Sequence, residues 1–385
     1  MRAPLPLLLL LAVGCGAPMD EDLLPPDEVV DAVLPEDAGA APDAGGVAGV
    51  DAGLDAGLDT EADAGADGGA RDAGFDAGAA LDAGVDGGAR DAGASLRIVV
   101  LSDLNGSYGA TTYEASVHQA VTALTTSVRP DLVLISGDMV AGQQAGLDYP
   151  AMWRGFHAAV TTPLTQAGIP VAPSPGNHDA SAYAGYQVER DEFARQWTPS
   201  RRPAVQMIDG ANFPFRYSFV FRGVFFISLD ATTVAPLSAG QRAWVSQQLV
   251  AAAAYPLRIV YGHVPLHPTT VGRETEVLGD AAFEALLRTH GALFIGGHQH
   301  GYFPGAANGV RHVVTPCIGA GPHPLIGTTA PSVRGFLVLD IAGDRVTSLE
   351  ARTGTGYTAT ITRASLPAEL RFGTHVLTRD DRAGY

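Results

Sequence analysis

The chain has 385 residues, room for two average domains or for one large α/β domain with additions. Its formal net charge of −17 is segregated: residues 16–94 carry 20 acidic side chains against Arg71 and Arg90, whereas residues 95–385 carry 21 of each sign. Neither part concentrates positive charge, which excludes the electrostatic footprint of a nucleic-acid binder. With Cys15 and Cys317 as the only cysteines, a disulfide framework is excluded as well.

In chain order, Met1-Arg2 and the run Leu5-Pro6-Leu7-Leu8-Leu9-Leu10-Leu11 form a charged start and an apolar stretch too short to span a bilayer. This predicts a secretory signal. Its end, Leu11-Ala12-Val13-Gly14-Cys15, resembles a bacterial lipoprotein signal in which Cys15 is lipidated, although Ala12 stands where that pattern more often has Leu. An outer-membrane or cell-surface lipoprotein is therefore expected, with a periplasmic or secreted protein as the alternative. Lipid on Cys15 would be the sole membrane attachment.

Residues 16–94 repeat Asp-Ala-Gly, at Asp37, Asp43, Asp51, Asp55, Asp63, Asp72, Asp76, Asp82 and Asp91. Their spacing is irregular, unlike a calcium loop whose oxygens converge within one turn. So few large apolar residues cannot offset chain entropy, which predicts a disordered acidic linker spanning roughly 50 Å.

From residue 95 the pattern changes. Apolar runs at 97–102, 132–137, 169–175, 224–229, 257–262 and 292–297 read as strands buried on both faces. Helical periodicity covers 113–128, 149–167, 238–254 and 279–290, and three more strands are predicted at 310–315, 335–341 and 357–363. The alternation argues an α/β sandwich, with the late strands completing a second sheet. The folded domain is placed at 95–367, and the polar residues 368–385 are read as a C-terminal tail without a clear element.

Five of the apolar runs end on metal-ligand chemistry: Asp103, Asp138, Gly176-Asn177-His178-Asp179, His263, and His298-Gln299-His300. Ligands in open α/β sheets bind beyond the carboxyl ends of the strands. Five such ends in one domain therefore point to one shared site. Oxygen and imidazole donors together suit divalent Mn, Fe or Zn.

These motifs, Asp103-Leu104-Asn105, Gly137-Asp138, Gly176-Asn177-His178-Asp179, Gly262-His263 and Gly297-His298-Gln299-His300, resemble the calcineurin-like metallophosphoesterases over roughly Leu96 to Asp340. The resemblance implies a four-layer α/β/β/α sandwich with two mixed β-sheets and two divalent metal ions at one edge. It implies that Asp138 bridges the ions, that Asp103, Asn105 and His300 complete one site, and that Asn177, His263 and His298 complete the other. His178 would protonate the leaving oxygen, with Asp179 orienting its imidazole. The expected activity is hydrolysis of phosphate mono- or diesters. Two cations neutralise the phosphoryl oxygens and lower the pKa of a bound water, and a positioned histidine suits proton donation near neutral pH.

Asn105 departs from the family's Asp-x-His. Its amide oxygen is a neutral and weaker ligand than imidazole, which favours Mn in that site. The competing reading is a surface protein of the same fold that binds metal or phosphate but has lost turnover; a passive interaction protein on an acidic stalk would bind no metal. A monomer is expected. Asp230 is read as structural, His267 as lining either the site mouth or a surface loop, and His118, His157, His290 and His312 as packing or surface residues. Cys317 is read as a small buried residue.

Overall fold

The computed structural model describes residues 95–382 and 384. The signal segment, Cys15 and the Asp-Ala-Gly linker lie outside the described residues. Among the described residues no helix is long and apolar enough to cross a membrane.

The strands are β1 (Leu96–Leu101), β2 (Leu132–Ser136), β3 (Val171–Ser174), β4 (Gln206–Asn212), β5 (Arg216–Phe221), β6 (Val224–Ser228), β7 (Arg258–Tyr261), β8 (Leu293–Gly296), β9 (Phe303–Ala307), β10 (Val310–Val314), β11 (Gly335–Ala342), β12 (Arg345–Thr353), β13 (Ala359–Thr360), β14 (Glu369–Phe372) and β15 (His375–Arg379). The helices are α1 (Ala115–Ala123), α2 (Tyr149–Phe156), α3 (Thr162–Gln166), α4 (Asn177–Ala180), α5 (Gln187–Trp197), α6 (Ala239–Ala251) and α7 (Ala281–Thr289). A π-helical turn extends α1 to Val128, and another joins α2 to α3.

Six strands form one mixed sheet in the order β13-β12-β11-β1-β2-β3, and nine form the other in the order β14-β15-β9-β10-β8-β7-β6-β5-β4. Side chains alternate across each strand. Val99 and Leu101 of β1 therefore join Val117, Trp153, Phe156 and Phe193 under the first helical layer. Ile98 and Val100 face the second sheet and meet Phe226, Ile259 and Ile295. On the far side Phe225, Val260 and Phe294 pack beneath α6 and α7 through Val245, Leu249, Phe283 and Leu287. The result is the expected four-layer α/β/β/α sandwich. The Tyr217 hydroxyl ties the sheets together, donating to the Pro173 carbonyl at 2.6 Å and lying 2.9 Å from the Tyr261 hydroxyl.

Several readings need correction. The strands after His300 do not complete one sheet: β10 pairs with β8, whereas β11 returns antiparallel to β1. Only Ala359 and Thr360 of the 357–363 run are strand. Tyr357 is buried instead as an anchor, its ring 4.8 Å from Phe336 and its hydroxyl donating to the Ser116 carbonyl at 2.9 Å. Residues 368–385 are no featureless tail, because β14 and β15 form a hairpin that pairs with β9. Leu370 and Leu377 attach it by packing on Phe303 and Leu325.

Candidate metal centre

The four parallel strands β1, β2, β7 and β8 end at one edge of the sandwich. Immediately beyond them Asp103, Asp138, His298 and His300 all adopt positive φ, between 50° and 67°. A left-handed backbone at residues other than glycine costs of order 1–3 kcal/mol each and persists where the surroundings over-determine it. Here it turns each side chain back across the strand ends. Two motif glycines permit the close approach. A Cβ on Gly137, at φ +95°, would strike the His263 ring, and one on Gly176 would strike the Asp138 backbone.

The carboxylates and imidazoles meet in this crevice. His263 Nε2 lies 3.2 Å from Asp138 Oδ2 and 4.0 Å from Asp103 Oδ1, and His300 Nε2 lies 3.3 Å from the same Asp103 oxygen. The outer nitrogens are fixed by carbonyls: His263 Nδ1 donates to Ser136 at 2.8 Å, and His300 Nδ1 to Gly321 at 2.8 Å. Such outer bonds orient a ligating imidazole so that its Nε2 faces inward. His298 Nδ1 is 3.1 Å from Asn177 Oδ1, and the Asn177 amide is held by Gln143 Oε1 at 2.8 Å. Asn105 is placed by its backbone N–H, which donates to the Asp138 carbonyl at 3.2 Å.

Every one of these seven residues is more than nine-tenths buried. Asp103 Oδ1, Asn105 Oδ1, His263 Nε2 and His298 Nε2 are buried without a hydrogen-bond partner. Leaving a buried polar atom unpaired costs about 1–3 kcal/mol, and native proteins rarely tolerate it without a reason. Burial would push the Asp103 and Asp138 carboxyls up, but the neighbouring imidazoles outweigh it and hold both below the ordinary range. Burial would likewise lower His263, yet Asp138 and Asp103 raise it to about 9. His298 follows its burial, falling to about 4 despite the opposing pull of Glu276. The crevice thus demands positive charge, while His298 favours the neutral form in which imidazole binds metal.

His178 sits at the mouth, partly exposed, with its ring 5.4 Å from that of Tyr108. Its backbone N–H donates to Asp138 Oδ1 at 3.0 Å, and its Nδ1 lies 3.0 Å from the Gly142 carbonyl. The expected bond from Asp179 to this imidazole is not formed. Asp179 Oδ1 accepts from the N–H groups of Met139 and Val140 at 2.7 and 2.9 Å, and Oδ2 accepts from Gly176 at 2.9 Å. A carboxylate occupied by three backbone donors fixes the turns that carry Asp138 and Asn177 rather than the proton donor.

Two residues absent from any recognisable motif also belong here. Glu276 Oε2 lies 3.0 Å from His298 Nε2 and is held by Arg273 at 3.0 Å. Against its burial, His298 and Arg273 draw its pKa down to about 2. Both come from the long loop between β7 and α7, where the sequence offers no periodicity to flag them. Asp230 has the structural role expected of it, pairing with Arg190 at 2.6 Å. Cys317 is a buried free thiol, with burial pushing its pKa up.

No curated protein matches the chain. Two similar solved structures are a dimetal phosphatase from Danio rerio and GAP50, the anchor in the inner membrane complex of Plasmodium. The first is 16% identical, covering 69% of this chain and 98% of that one with a TM-score of 0.48. The second is 15% identical, covering 75% and 90% with a TM-score of 0.48. The calcineurin-like phosphoesterase family model matches residues 96–302, the stretch that runs from β1 through every one of the strand-end motifs. By that match over more than half its length, the chain belongs to the calcineurin-like phosphoesterase family.

Proposed function

We propose that this chain is an exported, metal-dependent phosphoesterase that hydrolyses phosphate mono- or diesters at the strand-end crevice. The observation that carries the reading is the convergence of four buried ligand atoms on Asp103, Asn105, His263 and His298 that form no hydrogen bond, three of them facing an ion-pair neighbour and Asn105 Oδ1 facing none. Asp103, His263 and His298 match the family's two-metal centre in type and position, and Asn105 stands where the family has His. A mixed set of carboxylate and amide oxygens with imidazole nitrogens fits Mn, Fe or Zn. When bound, two such cations would neutralise the phosphoryl oxygens and activate a water near neutral pH.

The chain's own residues supply the rest. Asp138, with its two oxygens turned to different neighbours, would be the residue that both ions share, a role these contacts support. Asp103, Asn105 and His300 would serve one ion, and Asn177, His263 and His298 the other. At His178 a carbonyl can only accept, so Nδ1 keeps its hydrogen against Gly142 and Nε2 is the atom that exchanges a proton. His178 is therefore assigned as the donor to the leaving oxygen, with Asp179 as the residue that positions the turns beneath it. The buried, unpaired Oδ1 of Asn105 supports a ligating role for that amide rather than a lost site. Export and attachment through Cys15 complete the proposal.

The test is a panel of nitrophenyl and alkyl phosphate mono- and diesters, presented to the chelated full chain with and without added Mn. Turnover that depends on the cation supports the proposal. Metal binding without turnover of any ester would favour the binding-protein alternative.

A further inference from the structure

A second histidine–carboxylate cluster lies apart from the ligands described above. His267, on the loop after β7, Glu284 on α7 and His312 on β10 are all more than nine-tenths buried. His267 Nε2 lies 2.7 Å and His312 Nε2 3.0 Å from the same oxygen, Glu284 Oε1. The three ligand atoms fall within 4.8 Å of one another. No motif marks this cluster in the sequence, where His312 reads as a packing residue and His267 as a residue of the mouth or of a surface loop.

The surroundings are those of a metal site. Glu284 stands beside Phe283 and near Leu287 in an otherwise apolar layer. The groups bonded to its carboxylate are two imidazoles and the Asn308 amide, which donates to Oε2 at 2.8 Å. A buried carboxylate is costly unless a cation compensates it, and no fixed positive charge stands among these partners. Tetrahedral zinc holds its ligand atoms about 3.3 Å apart, from bonds of about 2.0–2.1 Å. The two nitrogen–oxygen separations, 2.7 and 3.0 Å, would open by roughly 0.3–0.6 Å to reach that spacing. A cavity of about 430 Å³, lined by His267, Asp280, Glu284 and His375 among others, adjoins the cluster. It offers an entry path and room for a water as fourth ligand.

We propose that His267, Glu284 and His312 form a mononuclear zinc site, separate from the strand-end centre, with its open position facing this cavity. Asn308 orients the carboxylate. His375, whose Nδ1 is 3.2 Å from His267 Nδ1, orients that imidazole from the β14–β15 hairpin. The bound ion would thereby link the C-terminal hairpin to α7 and β10.

The experiment is zinc content after saturation and desalting of the full chain, measured in pairs that differ only at Glu284. In wild type, and in an Asp138→Asn background that disables the strand-end centre, Glu284→Gln is expected to remove one zinc per chain. If Glu284→Gln does not fold, His375→Asn in the milder position is expected to weaken the same site by roughly 10–100-fold, the usual effect of losing a residue that orients a ligand. Zinc content and affinity unchanged by the Glu284 and His375 substitutions would overturn the proposal. So would an Asp138→Asn chain that retains no zinc at all.

Discussion

The two sheets bring different chemistry to the crevice. The six-stranded sheet contributes oxygen: Asp103 and Asn105 after β1, Asp138 after β2, and Asn177 after β3. The nine-stranded sheet contributes nitrogen: His263 after β7, and His298 and His300 after β8. Neither sheet alone holds a complete set of donors. The centre exists only because the sandwich core of Ile98, Val100, Ile259 and Ile295 holds the two strand ends in register. Metal binding should therefore report on correct packing of the sheets.

The most disruptive way to break this arrangement is Asp138→Asn. Asp138 reaches the nitrogen side at His263, 3.2 Å away, with its other oxygen turned to the His178 backbone N–H. Its neutralisation is expected to abolish turnover together with metal retention at the strand-end centre, read by ester hydrolysis and by the fall in metal content of the same preparation, the ion at His267, Glu284 and His312 being kept. A variant inactive but fully loaded would remove Asp138 from the shared position.

His178 belongs to the oxygen side by chain position yet is assigned no ligand role. Positioned proton transfer contributes about 10²–10⁴-fold, or roughly 3–5 kcal/mol of barrier. His178→Ala is expected to lower turnover of alkyl esters by that factor with metal content unchanged. The loss should shrink on nitrophenyl esters, whose leaving group scarcely needs a proton. Loss of metal in this variant would reverse the assignment.

A further histidine, His157, sharpens the contrast because it lies over the oxygen-side sheet and serves packing, its Nδ1 2.8 Å from the Thr161 hydroxyl. His157 is enclosed by Trp153, Phe156 and Trp197, with ring centroids 5.3–5.8 Å away. Burial lowers its pKa to about 4, from 6.5. The unfolded chain then binds the extra proton first, so stability is lost as pH falls from about 6.5 towards 4, by up to about 3 kcal/mol. Denaturant melts across that range should show the slope, and His157→Phe should flatten it. An equal slope in both proteins would place the acid sensitivity elsewhere.

Asn105 offers the subtlest change. Replacing its amide by imidazole would move a nitrogen donor to the oxygen side. Asn105→His is expected to tighten the weaker Mn site and to increase its tolerance of Zn or Fe. Calorimetric Mn titration checks this. Identical two-site isotherms would mean that Asn105 touches substrate instead.

The centre was more legible than the scaffold around it. Strands buried on both faces must be apolar, so an Asp or His closing such a run stands out, as at Asp103 and His263. Elsewhere local irregularity hid the pattern. In β12 an extra residue at the bulge opposite Asp340/Ile341 shifts Val346 out of phase with Leu349 and Ala351. In α5 the buried face includes Glu189 and Glu192, which obscures the helical stripe. The β14–β15 hairpin buries only Leu370 and Leu377, too few apolar positions to signal strands. Motif spacing supplied the identity of Asp179 but not the direction of its carboxylate. Glu276 sits in a loop whose path is set by tertiary contacts, the Gln299 amide donating to the Arg273 and Glu276 carbonyls and His298 facing the carboxylate.

The most direct test of a centre shared between the two sheets is turnover during Mn titration of the chelated full chain, followed on a nitrophenyl ester. Unequal sites predict that activity climbs well beyond the first equivalent and levels off only as the second, weaker site fills. Activity complete at one equivalent, or no turnover with any divalent cation, would contradict the account.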